Sequence, residues 1–381
     1  MAFGIFGRRW WMMAVLVVGL GASPPTGCNA GRVRFVQLHD GSFDAITANP
    51  STAVQTWFNT HYDRMLVYTP SFDSRLSWYH GGWAYKDLYA IYTSSTVATQ
   101  HPSWVLRDAN GNALYIPWGC GGGTCPQYAA DPGNAAFRSN WIAEATRDIV
   151  AKGYRGIFVD DVNMAIKVGN GAGQDVVPID PRTGRAMTLD DWHRYMAEFV
   201  EAIRAAFPTI EIVHNAVWWF APSADPYVQR QVAACDLYWM ERGVADGIDS
   251  TTYRAMLDFV DFVHGRRRAV VWENLSTSTS DREYAMATYF LTSLGYDGFR
   301  HGATSNPSNW WSGWDVALGN AVSVRLRSGG VWRRDFEHGT VLVNEPGQPT
   351  VTMAAGGYRL DGTYAASVTL PAASGVVLVR P

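Results

Sequence analysis

Charge is scarce in this chain. Asp, Glu, Lys and Arg make up 17% of its 381 residues, against about 25% in an average globular protein. Beside 47% hydrophobic residues, so few charges exclude a disordered or fibrous polymer, which needs low hydrophobicity and much charge. Neither sign dominates. The 31 Lys and Arg against 34 Asp and Glu leave a net charge of −3, which gives no support to binding of nucleic acid or acidic lipid. H-E-x-x-H, G-x-S-x-G and G-x-x-x-x-G-K-[ST] are all absent. Their absence argues against a zincin, an α/β-type serine hydrolase and a P-loop enzyme. Gly169-Asn170-Gly171-Ala172-Gly173 lacks dinucleotide spacing and reads as a flexible loop. No cofactor is expected.

Cysteine is limited to four, and each has a place. Cys120 and Cys125 flank Gly-Gly-Gly-Thr, a loop flexible enough to close a disulfide in an oxidising compartment. The same spacing suits half a metal site, but no second Cys or His pair matches it. Cys235 follows Val232-Ala233-Ala234 and reads as a buried thiol. Cys28 closes an N-terminal segment in which Arg8 and Arg9 precede an apolar run, Trp10 to Leu20, and then Gly21-Ala22-Ser23-Pro24-Pro25. A basic start, an apolar stretch too short to span a bilayer, and a small-residue end describe a secretory signal over residues 1–28. Thr26-Gly27-Cys28 resembles the end of a bacterial lipobox, with Pro25 where that motif usually has Leu. The expectation is export, to the cell envelope as a lipoprotein anchored at Cys28 or as a secreted protein.

Aromatics are abundant. The 17 Trp, 18 Tyr and 16 Phe make 13% of the chain, enough for a large core, for stacking on sugar rings, or for both. Length allows two or three domains of roughly 150 residues, or one β/α barrel of about 250 residues with a small companion.

From residue 32 short β-rich runs alternate with helical segments, the pattern of a parallel α/β fold. Eight runs qualify as strands: Val33–Leu38, Met65–Tyr68, Leu88–Tyr92, Gly156–Asp160, Ile210–His214, Leu237–Met240, Ala269–Trp272 and Gly298–Arg300. Phe137–Ala151, Leu189–Ala206, Tyr253–Val263 and Arg282–Leu294 carry helical periodicity. Asp190 and Asp191, and Ser280-Asp281, are placed to cap two of these helices. The expected fold is an α/β (β/α)8 TIM barrel over residues 32–325, ending in a helix at Val316–Val324. A small C-terminal antiparallel β-sandwich domain follows over 331–381, where short β runs alternate with Gly, Pro and Asn turns. Long loops, Ser94–Asn134 and Asn163–Thr188, follow the third and fourth strands.

Barrel enzymes place catalytic groups at the C-terminal ends of strands. The predicted strands end in His39-Asp40, Tyr68, Tyr92, Asp160-Asp161, His214-Asn215, Glu241-Arg242, Glu273-Asn274 and Arg300-His301. Such residues are poor core formers, and Trp218, Trp239 and Trp272 fall at or just beyond the same ends. Two acids flanking a glycosidic bond are the minimum for its hydrolysis. Asp160, Glu241 and Glu273 are the catalytic candidates. Asp40, Tyr68, Tyr92, Asp161, His214, Asn215, Trp218, Trp239, Trp272, Arg300 and His301 are expected to contact substrate. For each acid the alternative is a buried carboxylate paired with Arg242, Arg300 or His301. His39, His214, His301 and Asp40 could converge on a metal, but sugar contact or structural hydrogen bonding is the preferred role.

Gly153-Tyr154-Arg155-Gly156-Ile157-Phe158-Val159-Asp160-Asp161-Val162 resembles the G-[FY]-x-G-[IVL]-F-[LV]-D signature of the hypothetical glycosyl hydrolase family labelled 15. Trp104 to Asn112 and the helix from Phe137 with Trp141 resemble that family too, which is distantly similar to endo-α-1,4-polygalactosaminidase. The resemblance spans roughly residues 32–325. It implies that Asp160 is a strand-four catalytic Asp, that Glu241 is a strand-six Glu, and that Asn215 matches the Asn after strand five. Asp161 departs from relatives, which often carry Asn or Thr there, so the choice between neighbouring acids stays open. The expected activity is hydrolysis of a polysaccharide by a monomer. The rival is a glycan-binding surface lipoprotein using the same cleft without catalysis. A carboxylate separation above about 12 Å would favour the binder.

Overall fold

The structure, a computed structural model, describes residues 30–121, 125–216, 223–244, 248–278, 281–302 and 306–380. The expected signal segment 1–28 with Cys28, and Trp218, lie outside the described residues. Eight parallel strands close a barrel: β1 (Phe35–Leu38), β2 (Tyr62–Val67), β3 (Gly82–Asp87), β4 (Gly156–Asp160), β5 (Glu211–Asn215), β6 (Leu237–Met240), β7 (Ala269–Asn274) and β8 (Gly298–His301). Each pairs with its sequence neighbours, and β1 pairs with β8 to close the ring.

Side-chain alternation along these strands sets up everything above them. Val36, Leu66, Trp83, Phe158, Val213, Trp239 and Val271, one from each of seven strands, fill the barrel interior. A period of two then turns Leu38, Tyr68, Tyr85, Asp160, Asn215, Glu241 and Glu273 inward as well, one layer higher. Residues of the opposite parity, Ile157, Ile212, Tyr238, Val270 and Trp272 among them, join the core between sheet and helices.

The third strand lies earlier than its predicted place. Leu88–Tyr92 reads as a strand because Leu88, Tyr89 and Ile91 are apolar, and all three are indeed buried. They form the first leg of the long insertion, where Ala90–Tyr92 pairs antiparallel with Gln127–Ala129. The true β3 opens on Gly81-Gly82, which reads as a turn. Glycine is required elsewhere in the barrel too. A Cβ on Gly156 would sit 2.5 Å from the Glu211 carbonyl oxygen and 2.8 Å from the Trp83 ring. Gly156→Ala is therefore expected to cost about 1–3 kcal/mol by overpacking, read as a fall in the urea midpoint at unchanged m-value.

Leu189–Ala206 is helical as predicted. Trp192, Tyr195, Met196, Phe199, Val200 and Ile203 are buried along one face. Thr188 and Asp191 close a reciprocal capping box at its start. Asp281 precedes the helix Arg282–Thr292 without capping it, and accepts the Ser276 hydroxyl instead. Val316–Val324 is not a helix. Gly319 adopts a left-handed φ of 76° in its middle, Ala317 and Ala321 make isolated β-bridges, and Val322 and Val324 are exposed.

The C-terminal domain is one six-stranded antiparallel sheet that takes Leu326–Ser328 as its first strand. The hairpin Val351–Tyr358 and Tyr364–Leu370 joins the rest at a single register position, Tyr358 opposite Val379. It folds over Val331, Leu342, Val376 and Leu378 as the second layer of a small sandwich. The other face of the sheet, with Val341, Val343 and Val377, belongs to the main core. It covers the helix Arg282–Thr292, whose residues from Tyr284 to Thr292 are all buried. Arg334 donates to the carbonyls of Phe290 and Ser293 at that helix's end, at 2.9 and 2.7 Å, where a cation is favoured.

Candidate active site

Above the interior layer lies a cavity of about 1170 Å³ lined by Asp160, Asn215, Glu241, Glu273, Tyr68 and Tyr85 among others. Asp160 and Glu241 come from alternate strands of the barrel, and β5 between them carries Asn215. The Asn215 amide nitrogen donates to Asp160 Oδ1 at 2.8 Å and to Glu241 Oε2 at 3.2 Å. Two oxygens at those distances from one nitrogen are at most about 6 Å apart. Asp160 Oδ1 also accepts the backbone N–H of Asp161 at 2.9 Å, and its carboxylate is hydrogen-bonded by the Tyr85 hydroxyl. Burial, followed by the Asp160 charge, pushes the Tyr85 phenol far above its ordinary range, so Tyr85 stays a donor.

Glu273 adopts the paired alternative. It accepts the Trp239 indole N–H at 2.6 Å and is bonded by the Arg300 guanidinium, which also reaches Gln37. Burial raises this carboxyl to about 7 against the opposing pull of Arg300 and Trp239, with the Glu241 charge adding to the rise. A folded-state value above the unfolded one makes ionisation costly, so the stability linked to Glu273 declines as pH rises from its ordinary 4.5 towards 7. Removing Arg300 extends that decline to higher pH. Arg300→Met is expected to cost about 1–2 kcal/mol more at pH 8 than at pH 5, where Glu273 is protonated in both proteins. Thermal unfolding at the two pH values measures the gap, and an equal loss at both would contradict it.

A second acidic pair flanks Asp160. Asp161, at a left-handed φ of 56°, accepts the Trp118 indole N–H at 3.1 Å and the Asn163 amide at 2.9 Å. Burial and the Asp160 charge raise it to about 6. Asp87, at the end of β3, is buried beside it and accepts the Tyr89 N–H at 2.8 Å. Burial and the charges of Asp161 and Asp160 push Asp87 well up, and it hydrogen-bonds Asp161. Asp87 therefore holds the proton of this pair.

Of the remaining expected contacts, Tyr68 lines the cavity half-exposed, and Trp239 lines its floor. The others fall elsewhere. His214, Trp272 and His301 have the outward parity of their strands. They are buried against the helices, with Tyr238 beside His214 and Trp314 beside His301. Asp40 caps the helix Gly41–Thr47 by accepting the Ser42 N–H. His39 is bonded to Thr47, so no imidazole cluster forms with Asp40. Tyr92 sits on the insertion hairpin and lines a separate cavity of about 290 Å³, because the third strand ends before it. Cys120 and Cys125 form a disulfide and Cys235 is a buried thiol. Among the described residues no group of three or more His, Cys, Asp or Glu is arranged to hold a metal ion. Tyr85, Asp87 and Trp118 were not anticipated. The first two follow Trp83 at strand spacing and become visible once β3 is placed correctly, whereas Trp118 lies on a loop that no periodicity marks.

Comparison with known proteins agrees with this architecture. The profile of hypothetical glycosyl hydrolase family 15 matches residues 64–340. An alpha-amylase from Lactobacillus plantarum superposes with a TM-score of 0.52 at 12% identity, over 91% of this chain and 99% of that one. The maltogenic alpha-amylase AmyB from Thermotoga neapolitana superposes with a TM-score of 0.52 at 10% identity, over 91% and 98%. At such identities the likeness is one of fold. No curated protein sequence matches significantly.

Proposed function

Because the chain belongs to hypothetical glycosyl hydrolase family 15, we propose that its glycosidase chemistry is carried by Asp160 and Glu241 acting on a polysaccharide. The observation behind this assignment is the single Asn215 amide that touches both carboxylates. The two oxygens that meet Asn215 are at most about 6 Å apart, which brings both acids within reach of one glycosidic bond, and the close spacing is the reason to adopt the retaining arrangement. It also supports hydrolysis over simple glycan binding, for which two acids need not converge.

Asp160 takes the nucleophile's role, since the Asp161 N–H, the Asn215 amide and the Tyr85 hydroxyl converge on it and fix its direction of attack. Glu241 protonates the leaving oxygen, and Asp160 forms a covalent glycosyl intermediate. Glu241 then takes a proton from the incoming water. The proton-sharing Asp87–Asp161 pair holds further negative charge beside an oxocarbenium-like transition state, whereas Arg300 neutralises Glu273. The protein works outside the cytoplasm, exported by residues 1–28 and either anchored at Cys28 or secreted, and the Cys120–Cys125 disulfide supports an oxidising location.

The test is reducing-sugar release from a panel of bacterial and plant polysaccharides, with proton NMR of the first product formed. Release with retained anomeric configuration is the expected result. Inversion would remove Asp160 from the nucleophile's role, and no release from any polymer would count against hydrolysis of polysaccharide.

A further inference from the structure

Trp83, Trp141, Trp192, Trp239, Trp272 and Trp314 are buried, as indoles usually are. Trp118 is different. At 52% exposure it is the one exposed Trp among the described residues, and it lines the catalytic cavity. Leaving so much apolar surface in water is unfavourable, so its place needs another reason.

The ring is held there by several independent restraints. Its Nε1–H donates to Asp161 Oδ1, and Asp161 is fixed by Asn163 and by its own left-handed backbone. The Cys120–Cys125 disulfide closes the loop two residues further on. Before the ring, Tyr115 stacks on Tyr128 at 4.9 Å, and the Ile116 N–H donates to the Gln127 carbonyl. A hydrogen bond to Asp161 alone would not call for an indole, since an amide could supply it without exposing an aromatic ring. With the N–H engaged, what the residue offers the cavity is its flat apolar face. Such a face complements the C–H face of a pyranose, while the surrounding carboxylates accept hydroxyl hydrogens.

We propose that Trp118 is a stacking platform for a sugar ring of the substrate chain and helps decide which polymer enters the cavity. This rests on the reading of the site as a glycosidase. The platform is pre-organised, so little side-chain freedom is lost on binding.

The experiment is native electrophoresis of the full chain through gels containing amylose, dextran, galactomannan, xylan, pectin or chitosan. Glu241→Gln is the background throughout, so that the polymers are not digested. Retardation by at least one polymer is expected. Adding Trp118→Ala should weaken apparent affinity for that polymer about tenfold, and Trp118→Phe, which keeps an aromatic face, should lose less. Replacing both Cys120 and Cys125 by Ser should weaken binding with the indole still present. Thermal unfolding of each variant confirms that the fold persists. Equal retardation with and without Trp118, or no retardation by any polymer, overturns the proposal. Reducing-sugar release by the wild type is scored separately. Release without a Trp118 effect sinks the platform alone, whereas a Trp118 effect without release sinks the hydrolytic reading alone.

Discussion

Asp160→Asn and Glu241→Gln are each expected to cut hydrolysis of unactivated polysaccharide at least about a thousandfold, in folded protein. A positioned proton donor contributes about 10²–10⁴ in rate, and removal of the nucleophile abolishes the covalent route altogether. Both changes are isosteric, and in both the Asn215 amide keeps an oxygen to bond, so the loss should be chemical rather than structural. The two variants should part company on an aryl glycoside with a strongly acidic leaving phenol. That leaving group needs no proton, so Glu241→Gln should recover part of its first step while Asp160→Asn stays inactive. Activity within twofold of wild type in either variant would eliminate that residue. Recovery in Asp160→Asn but not in Glu241→Gln would exchange the two roles.

Glu211→Gln should have the largest effect on stability, at the opposite end of the barrel. Glu211 opens β5 and accepts from Arg64 Nε and Nη2 at 2.8 Å each, from Arg155 Nε at 2.8 Å and from the Trp83 indole N–H at 2.9 Å. One carboxylate thereby ties together β2, β3, the approach to β4, and β5. Burial opposes its charge, but the bonds from Arg64, Arg155 and Trp83 outweigh burial and bring it from 4.5 to about 2. A depressed folded-state value means that this stabilisation is present above 4.5 and is lost as pH falls towards 2. At about 1.4 kcal/mol per pKa unit the group is worth about 3 kcal/mol at neutral pH. Glu211→Gln should lose that amount at pH 7 and much less at pH 3, as measured by urea unfolding. A loss independent of pH would show that shape, not charge, holds the strands there.

Much of this site was legible because strand alternation carries chemistry as well as packing. Phe158 and Asp160, Val213 and Asn215, Trp239 and Glu241, and Val271 and Glu273 are the same two-step motif on consecutive strands: an apolar filler, then a polar group above it. The same rule, applied one residue off, misassigned His214, Trp272 and His301. Each follows or precedes an inward residue by one position and so turns outward, although its chemistry suggested a site. Asp87 and Tyr85 were hidden because the apolar run Leu88, Tyr89 and Ile91 drew the third strand past them towards Tyr92. Trp118 was hidden for another reason. Its position depends on a loop folded back across the barrel mouth, and contacts between distant parts of a chain leave no local period to read.

The helix Arg282–Thr292 has water on neither side, because the barrel covers one face and the C-terminal sheet the other. A gene cut at the end of the barrel would therefore encode a half-core: Ala287, Phe290 and their neighbours would face solvent, and the backbone carbonyls now capped by Arg334 would be open. Recombination that swaps such tails between barrels must bring a matching helix surface with each one. The last helix and the C-terminal sheet are thus one packing unit, and a boundary that keeps this core whole lies before residue 282 rather than between the two domains.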